Sequence, residues 1–179
     1  MVQFVQTSLP YGILASHILL VFLLLALVFR NSWGKEITDF VGKYAINFGF
    51  LVSLVAISGS LFYSDIVHFE PCVLCWWQRV LLYPQVIIFA VALWHKKKDV
   101  FLYVIPMVSM AAMLGAYQAY VYMGGTSILP CTALGGACAK NYVLEFGYIS
   151  IPMASLTISL YILLLAWTHR IYDKNRNAR

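Results

Sequence analysis

Charged residues are scarce in this sequence: Asp, Glu, Lys and Arg make up 11% of its 179 residues, against about 25% in an ordinary soluble domain. It also lacks a Gly-rich phosphate loop, a serine-nucleophile motif and a pair of catalytic carboxylates. No repeat period or low-complexity tract is present. These absences argue against a soluble nucleotide-binding or hydrolytic enzyme.

Hydrophobic residues take the place of the missing charges, at 62% of the chain. A helix that crosses a membrane needs about 20 mostly apolar residues. Five stretches are long enough, namely residues 9–29, 44–63, 76–94, 100–123 and 149–168. Runs of this length are too long for barrel strands, and backbone groups cannot stay unpaired in hydrocarbon. The sequence therefore predicts an all-α membrane protein with five spans.

The basic residues lie in alternate connections between these spans. Arg30, Lys35 and Lys43 follow the first span, Lys96, Lys97 and Lys98 follow the third, and Arg170, Lys174, Arg176 and Arg179 follow the fifth. By the positive-inside rule, we expect the amino terminus outside and the carboxyl terminus in the cytoplasm. This distribution does not predict nucleic-acid binding, although the net charge is +5.

The first apolar stretch is interpreted as a retained helix and not as a signal peptide. No basic residue occurs in "MVQFVQTSLPYG", and no A-x-A-like cleavage site follows the apolar run.

Small and amide side chains inside the spans predict helix contacts. Gly59 and Gly115 are expected to let neighbouring helices approach closely. Gln78, Gln85 and Gln118 are expected to hydrogen bond across helices and not to bind a cofactor.

Only four cysteines are present, and both pairs fall in the connections that are predicted to face outward. Cys72 and Cys75 precede the third span, and Cys131 and Cys138 lie between the fourth and fifth. Disulfides persist in oxidising compartments, so both pairs are expected to form them. Four cysteines allow three pairings, of which proximity favours 72 with 75 and 131 with 138.

The spacing of Cys72 and Cys75 is typical of redox work. A disulfide that encloses two residues removes little entropy from the unfolded chain, so it is a poor structural staple. Cys75 begins a predicted helix, and Arg79 follows four residues later on the same face. The positive end of the helix dipole and the arginine charge would each favour the thiolate form of Cys75. Snorkelling to headgroups is the alternative role for Arg79. A dithiol at the bilayer surface could meet a lipid-soluble electron acceptor.

Cys131 and Cys138 lie in the polar stretch "PCTALGGACAKNYVLEFG". Its two glycines allow the ring between the sulfurs to turn. Such a loop could offer its disulfide to a soluble protein dithiol by thiol exchange. A static staple is the alternative.

Three motifs, "PCVLCWWQR", "PCTALGGAC" and "EFGYISIP", carry a family resemblance. The chain resembles the DsbB family of disulfide bond formation proteins, and in particular its short branch typified by BdbC, over residues 44–170. The first motif is specific, because a Cys-x-x-Cys pair opens a span, an arginine follows its second cysteine by four residues, and a further pair occupies the next outer loop.

This resemblance implies a four-helix transmembrane bundle in the bacterial cytoplasmic (inner) membrane. It implies that the protein reoxidises a DsbA-like thioredoxin-fold thiol oxidase outside the cytoplasm and passes two electrons to ubiquinone or menaquinone. Cys131 would form the mixed disulfide with that partner, and Cys138 would resolve it or relay the electrons. Cys72 and Cys75 would reoxidise the outer pair, with Cys75 nearest the quinone and Arg79 supporting its thiolate.

The resemblance also places Trp76 and Trp77 where the quinone ring should lie, with anchoring at the membrane interface as an equal explanation. Two departures stand out. The spacing between Cys131 and Cys138 matches the short branch, and the first span lies outside the four-span pattern. The expected organisation is an extra helix and cytoplasmic loop at 1–43, a DsbB-like bundle at 44–170 and a basic cytoplasmic tail at 171–179.

Three alternatives remain at this stage. A vitamin K epoxide reductase-like protein also joins a quinone to two cysteine pairs, but its Cys-x-x-Cys comes late in the bundle. A zinc site on four thiolates is disfavoured because the spacing of the second pair is wider than usual and no histidine lies in that loop. A purely structural role for both pairs is the third.

Overall fold

The structure, a computed structural model, describes residues 2–69, 71–126 and 146–177. Every regular element of this described part is helical. In chain order the α-helices are α1 (Val2–Val28), α2 (Gly34–Lys43), α3 (Ala45–Leu61), α4 (Val73–Trp94), α5 (Phe101–Tyr122) and α6 (Ile151–Asn177). A five-residue π-helical turn, Phe62–Ile66, extends α3.

Four of these helices form an antiparallel bundle. Helix α3 packs against α4 and α6, and α5 packs against the same two, so each helix has two neighbours. Helix α1 lies outside this bundle and contacts α2 and α6. We call the end of the bundle that holds Cys72 the cysteine end. The opposite end, which holds α2 and the connection from α4 to α5, is the basic end.

Within the described residues, five helices are long and apolar enough to cross a membrane. They are Thr7–Val28 within α1, Ala45–Ile66, and the full lengths of α4, α5 and α6. The five predicted spans are therefore confirmed as helices within a few residues, except that α6 continues to Asn177 through most of the predicted tail at 171–179. The protein is an all-α, multi-pass membrane protein.

The connection from 30 to 43 was expected to be a loop, and this expectation was wrong for its second half. Helix α2 occupies it, and buries Thr38, Val41 and Gly42 while its charged residues stay exposed or partly exposed. It packs against α6, where His169 Nδ1 lies 3.0 Å from the Gly42 carbonyl oxygen. Ten residues with one apolar face cannot span a membrane, so this helix lies at the basic end as an amphipathic element.

The larger cluster of buried hydrophobic residues also lies toward the basic end. Phe89 of α4 is fully buried there, and an added Cβ on Gly49 of α3 would stand 2.6 Å from its ring. Glycine is therefore needed at position 49 for α3 and α4 to approach. Gly115 is similarly close to the backbone of Leu156, at 3.3 Å, which confirms the contact predicted for it.

The cysteine end is packed differently. A small cluster of Cys72, Leu74 and their neighbours replaces the large core. The prediction of a helix contact at Gly59 was wrong, because an added Cβ there would meet nothing within 4 Å. Gly59 instead faces a cavity, which is described with the site below.

Candidate functional site

The first element of the site is the start of α4. Cys72 is its N-cap, with an extended backbone (φ −72, ψ 168), and its sulfur accepts a hydrogen bond from the Cys75 backbone N–H at 3.3 Å. Pro71 precedes the cap and carries no N–H of its own. This cap turns both side chains to one side of the helix start, and the two sulfur atoms lie 2.9 Å apart.

This separation is longer than a covalent S–S bond of about 2.05 Å, so both cysteines are free and the disulfide expected for this pair is not formed in the structure. Cys72 is buried, with 2% of its surface exposed, whereas Cys75 is partly exposed. A movement of about 0.9 Å would bring the sulfurs to bonding distance. The pair is therefore placed to alternate between dithiol and disulfide with little rearrangement.

A glutamine from the neighbouring helix supports both sulfurs. Gln118 of α5 donates from its amide nitrogen to Cys72 Sγ at 3.1 Å and to Cys75 Sγ at 3.2 Å. Gln78 of α4 donates in turn to the Gln118 side-chain oxygen at 2.8 Å, which orients the amide with its nitrogen toward the sulfurs. All of these groups except Cys75 are buried, so the bonds are strengthened by a low local dielectric.

The Gln78–Gln118 bond confirms the expectation that these side chains connect helices. The contact of Gln118 with the cysteines was missed. The Gln118 amide can stabilise negative charge on sulfur, because an N–H donor directed at a sulfur favours the thiolate, which is the nucleophilic form of cysteine. Cys72 Sγ, which accepts from both Gln118 and the Cys75 N–H, is the better supported of the two sulfurs.

Arg79 lies one turn further along α4 and points toward α3. Its Nε donates to Ser60 Oγ at 3.1 Å, and its Nη2 donates to the Ser60 carbonyl oxygen at 3.4 Å. Tyr83 donates to the same hydroxyl at 2.9 Å. The guanidinium thus has polar partners within the bundle, which lowers the cost of a charge near hydrocarbon. These contacts hold it beside α3, just before the π-helical turn.

A large cavity adjoins these groups. It has a volume of about 730 Å³ and is lined mainly by apolar side chains of α1, α3, α4 and α6. Cys72, Cys75, Gln78, Arg79 and Gln118 all contribute to its lining. The cavity therefore has a polar end beside the two sulfurs and an apolar remainder that extends along the helices.

The structure places the predicted site residues in three groups. Cys72, Cys75 and Arg79 are brought together at the cavity. Trp76 and Trp77 are more than half exposed and do not line it. Their assignment to a quinone stays a prediction, although the Arg79 guanidinium carbon lies 5.2 Å from the centroid of the Trp76 ring. Cys131 and Cys138 lie outside the described residues.

Comparison with known proteins gives a consistent result. A protein-family model described as "DsbB: Disulfide bond formation protein DsbB" matches residues 42–169. The chain is 32% identical to "Probable disulfide formation protein C 2" of Bacillus anthracis over 131 residues, which cover 73% of this chain and 94% of that protein. It is 37% identical to "Disulfide bond formation protein C" of Bacillus subtilis (strain 168) over 116 residues, which cover 64% and 83% of the two chains. No solved structure matches the chain significantly.

Proposed function

The chain belongs to the DsbB family of disulfide bond formation proteins, and from this premise we propose that it reoxidises a soluble thioredoxin-fold thiol oxidase and delivers the electrons to a membrane quinone. Family membership and five candidate spans make it a multi-pass membrane protein of disulfide bond formation, with thiol oxidoreductase chemistry. The quinone, the soluble partner and the orientation in the membrane are the proposed parts.

One observation carries the proposal. The sulfurs of Cys72 and Cys75 are 2.9 Å apart and line an apolar cavity between membrane-spanning helices. A dithiol that served only soluble partners would have no use for such a cavity. A dithiol that served only as a staple would not need a glutamine amide pointed at both sulfurs.

The cavity fits a quinone in size and in polarity. Its volume of about 730 Å³ falls within the 300–1,000 Å³ that is usual for small-molecule sites. The polar end matches the ring carbonyls of a quinone, and the apolar remainder matches its prenyl tail. Arg79, whose guanidinium has more N–H groups than its two bonds to Ser60 use, is the donor that would hold the ring. Such a group, when bound, supplies an acceptor for two electrons and two protons.

The residues of this chain prepare the dithiol for that transfer. The Gln118 amide and the start of α4 support negative charge on Cys72 Sγ. Arg79 adds a positive charge to the cavity wall, where a low dielectric makes it effective. The apolar lining keeps bulk water away from the sulfurs. Loss of two electrons and two protons from the pair leaves the Cys72–Cys75 disulfide.

That disulfide must then be reduced again by thiol exchange. We assign this step to Cys131 and Cys138, as the family resemblance implies, with Cys131 attacked by the partner's thiolate. Overall, one partner dithiol becomes a disulfide while one quinone becomes a quinol. The positive-inside rule places the basic end in the cytoplasm and therefore the cysteine end outside, where the soluble partner would act.

The proposal is tested with the purified full-length protein, a reduced thioredoxin-fold partner and a short-chain quinone. We expect one partner disulfide for each quinone consumed, followed by quinone absorbance and by thiol alkylation of the partner. Cys75→Ser should abolish both signals. Val80→Ala, an exposed position on the same helix, should keep them. Partner oxidation that continues without quinone under anaerobic conditions would contradict the proposal.

A further inference from the structure

Helix α1 lies outside the region that matches the DsbB family, which starts at residue 42. It nevertheless forms one wall of the cavity beside Cys72 and Cys75. The residues that it contributes include Leu9, Gly12, Ile13, Ser16 and Leu19. The segment that the family pattern leaves unexplained therefore takes part in the site.

The spacing of these residues shows that one continuous face of α1 is involved. Successive members of this set are three, one, three and three residues apart, and this spacing keeps their side chains on the same side of a helix. From Leu9 to Leu19 the face extends about 15 Å along the axis, roughly half of the 30 Å hydrocarbon thickness. The cavity thus reaches from the level of the sulfurs well into the membrane.

Polar contacts hold α1 in this position. His17 Nε2 lies 2.7 Å from Thr157 Oγ1 of α6. The Tyr161 hydroxyl, also on α6, donates to the backbone carbonyl of Ser16. Such hydrogen bonds between helices fix their relative position within a membrane. Helix α1 is therefore docked on α6, and the cavity wall that it forms is a defined surface.

The opposite wall is supplied by α3, through Leu51, Val55 and Gly59 among others. An added Cβ on Gly12 or on Gly59 would meet nothing within 4 Å, so neither glycine is packed against protein. The two helices leave an apolar space between them, and this space leads to the polar groups around Cys75. Hydrocarbon of some kind must fill it in a membrane.

We propose that α1 forms part of the quinone site of this protein, with the ring of a prenylated quinone at the cysteine end and its tail between α1 and α3. This inference rests on the proposed function and adds a binding surface to it. A tail is favoured over a lipid acyl chain because the space is continuous with a polar end that holds the Arg79 guanidinium and two redox-active sulfurs. Helix α1 then sets the width of the site.

The test uses the full-length protein and a photoreactive quinone with a short prenyl tail. Labelled positions are found by mass spectrometry, with an excess of unlabelled quinone as competitor. We expect competed labels on α1 between residues 9 and 19 and on α3 or α4. Gly12→Leu places a side chain in the open space and should weaken competed labelling at least about tenfold, since it displaces at least about two buried methylene groups of the tail.

Ala15→Leu is the matched control, because Ala15 is exposed on α1 and does not line the cavity. It should label as the wild type does. Gly59→Leu narrows the same space from the α3 side and should behave as Gly12→Leu does. An equal loss in Ala15→Leu and Gly12→Leu would overturn the inference, because general packing of α1 would then be responsible.

The outcomes separate this inference from the function on which it rests. If α3 and α4 are labelled, α1 is not, and Gly12→Leu is unchanged, α1 has no part in the site while quinone reduction stands. If no label is competed and phospholipid is recovered instead, the occupant is an acyl chain and the inference fails. If the wild type also reduces no quinone, the proposed function fails with it.

Discussion

The hydrogen bonds from Gln118 to the two sulfurs allow a quantitative prediction. Gln118→Leu removes donors that lie 3.1 and 3.2 Å from Cys72 Sγ and Cys75 Sγ. A hydrogen bond to a charged group contributes about 1.5 to 3 kcal/mol. The donors favour the thiolate, so their loss destabilises the reduced pair more than the disulfide. The reduction potential of the pair should therefore become more negative, by about 30 to 60 mV.

The assay equilibrates the protein with a dithiol–disulfide redox buffer and then alkylates the thiols after denaturation, so that burial of Cys72 does not limit the reading. Cys131→Ser and Cys138→Ser in the same protein isolate the inner pair. Gln85→Leu is the control, because Gln85 is fully buried but bonds to the Leu81 carbonyl and to Met107. Its potential should not change.

Stability must be separated from redox chemistry in this experiment. Gln118→Leu also leaves the buried Gln78 amide without its acceptor, which costs about 1 to 3 kcal/mol of folding free energy. The double variant Gln78→Leu/Gln118→Leu removes both partners and should recover most of that stability while the potential stays low. An unchanged potential in Gln118→Leu, or a recovered one in the double variant, would refute the reasoning.

Two further predictions concern the packing and the charge of the bundle. Gly49→Val forces carbon atoms against the Phe89 ring, so overpacking should cost about 1 to 3 kcal/mol of folding free energy and lower the thermal unfolding midpoint in detergent. Gly12→Ala is the control and should leave the midpoint unchanged, because an added Cβ there meets nothing within 4 Å. Equal midpoints for the two variants would contradict this packing. Arg79→Lys cannot reproduce the paired contacts to Ser60, so the KM for quinone should rise several-fold while the rate of thiol exchange with the partner stays constant. A slower exchange with an unchanged KM would assign Arg79 to the thiols instead.

The sequence was sufficient for the features that depend on local pattern. Apolar runs of about 20 residues predict spans because the membrane thickness fixes helix length, and all five were confirmed. Helix α2 was missed because its ten residues are amphipathic and only half apolar, so they do not appear in a search for apolar runs of about 20 residues. The family could be recognised from motifs that surround the cysteines, since these combine spacing with position at a helix start.

Features that depend on packing between residues far apart in the chain could not be predicted from the sequence. Gly59 and Gly115 look alike as small residues in spans, yet one faces a cavity and the other touches Leu156. Gln118 lies 46 residues from Cys72, and nothing in its local sequence distinguishes it from Gln85, which bonds within its own helix and to Met107. The role of α1 as a cavity wall likewise depends on its docking to α6.

The central claim is that the Cys72–Cys75 pair at the polar end of the cavity gives its electrons directly to a membrane quinone. A single-turnover experiment tests this most directly. The protein with Cys131→Ser and Cys138→Ser is fully reduced, freed of reductant and mixed without oxygen with one equivalent of short-chain quinone. We expect one quinone to be consumed for each Cys72–Cys75 disulfide formed. A protein that keeps both thiols and leaves the quinone absorbance unchanged would contradict the account.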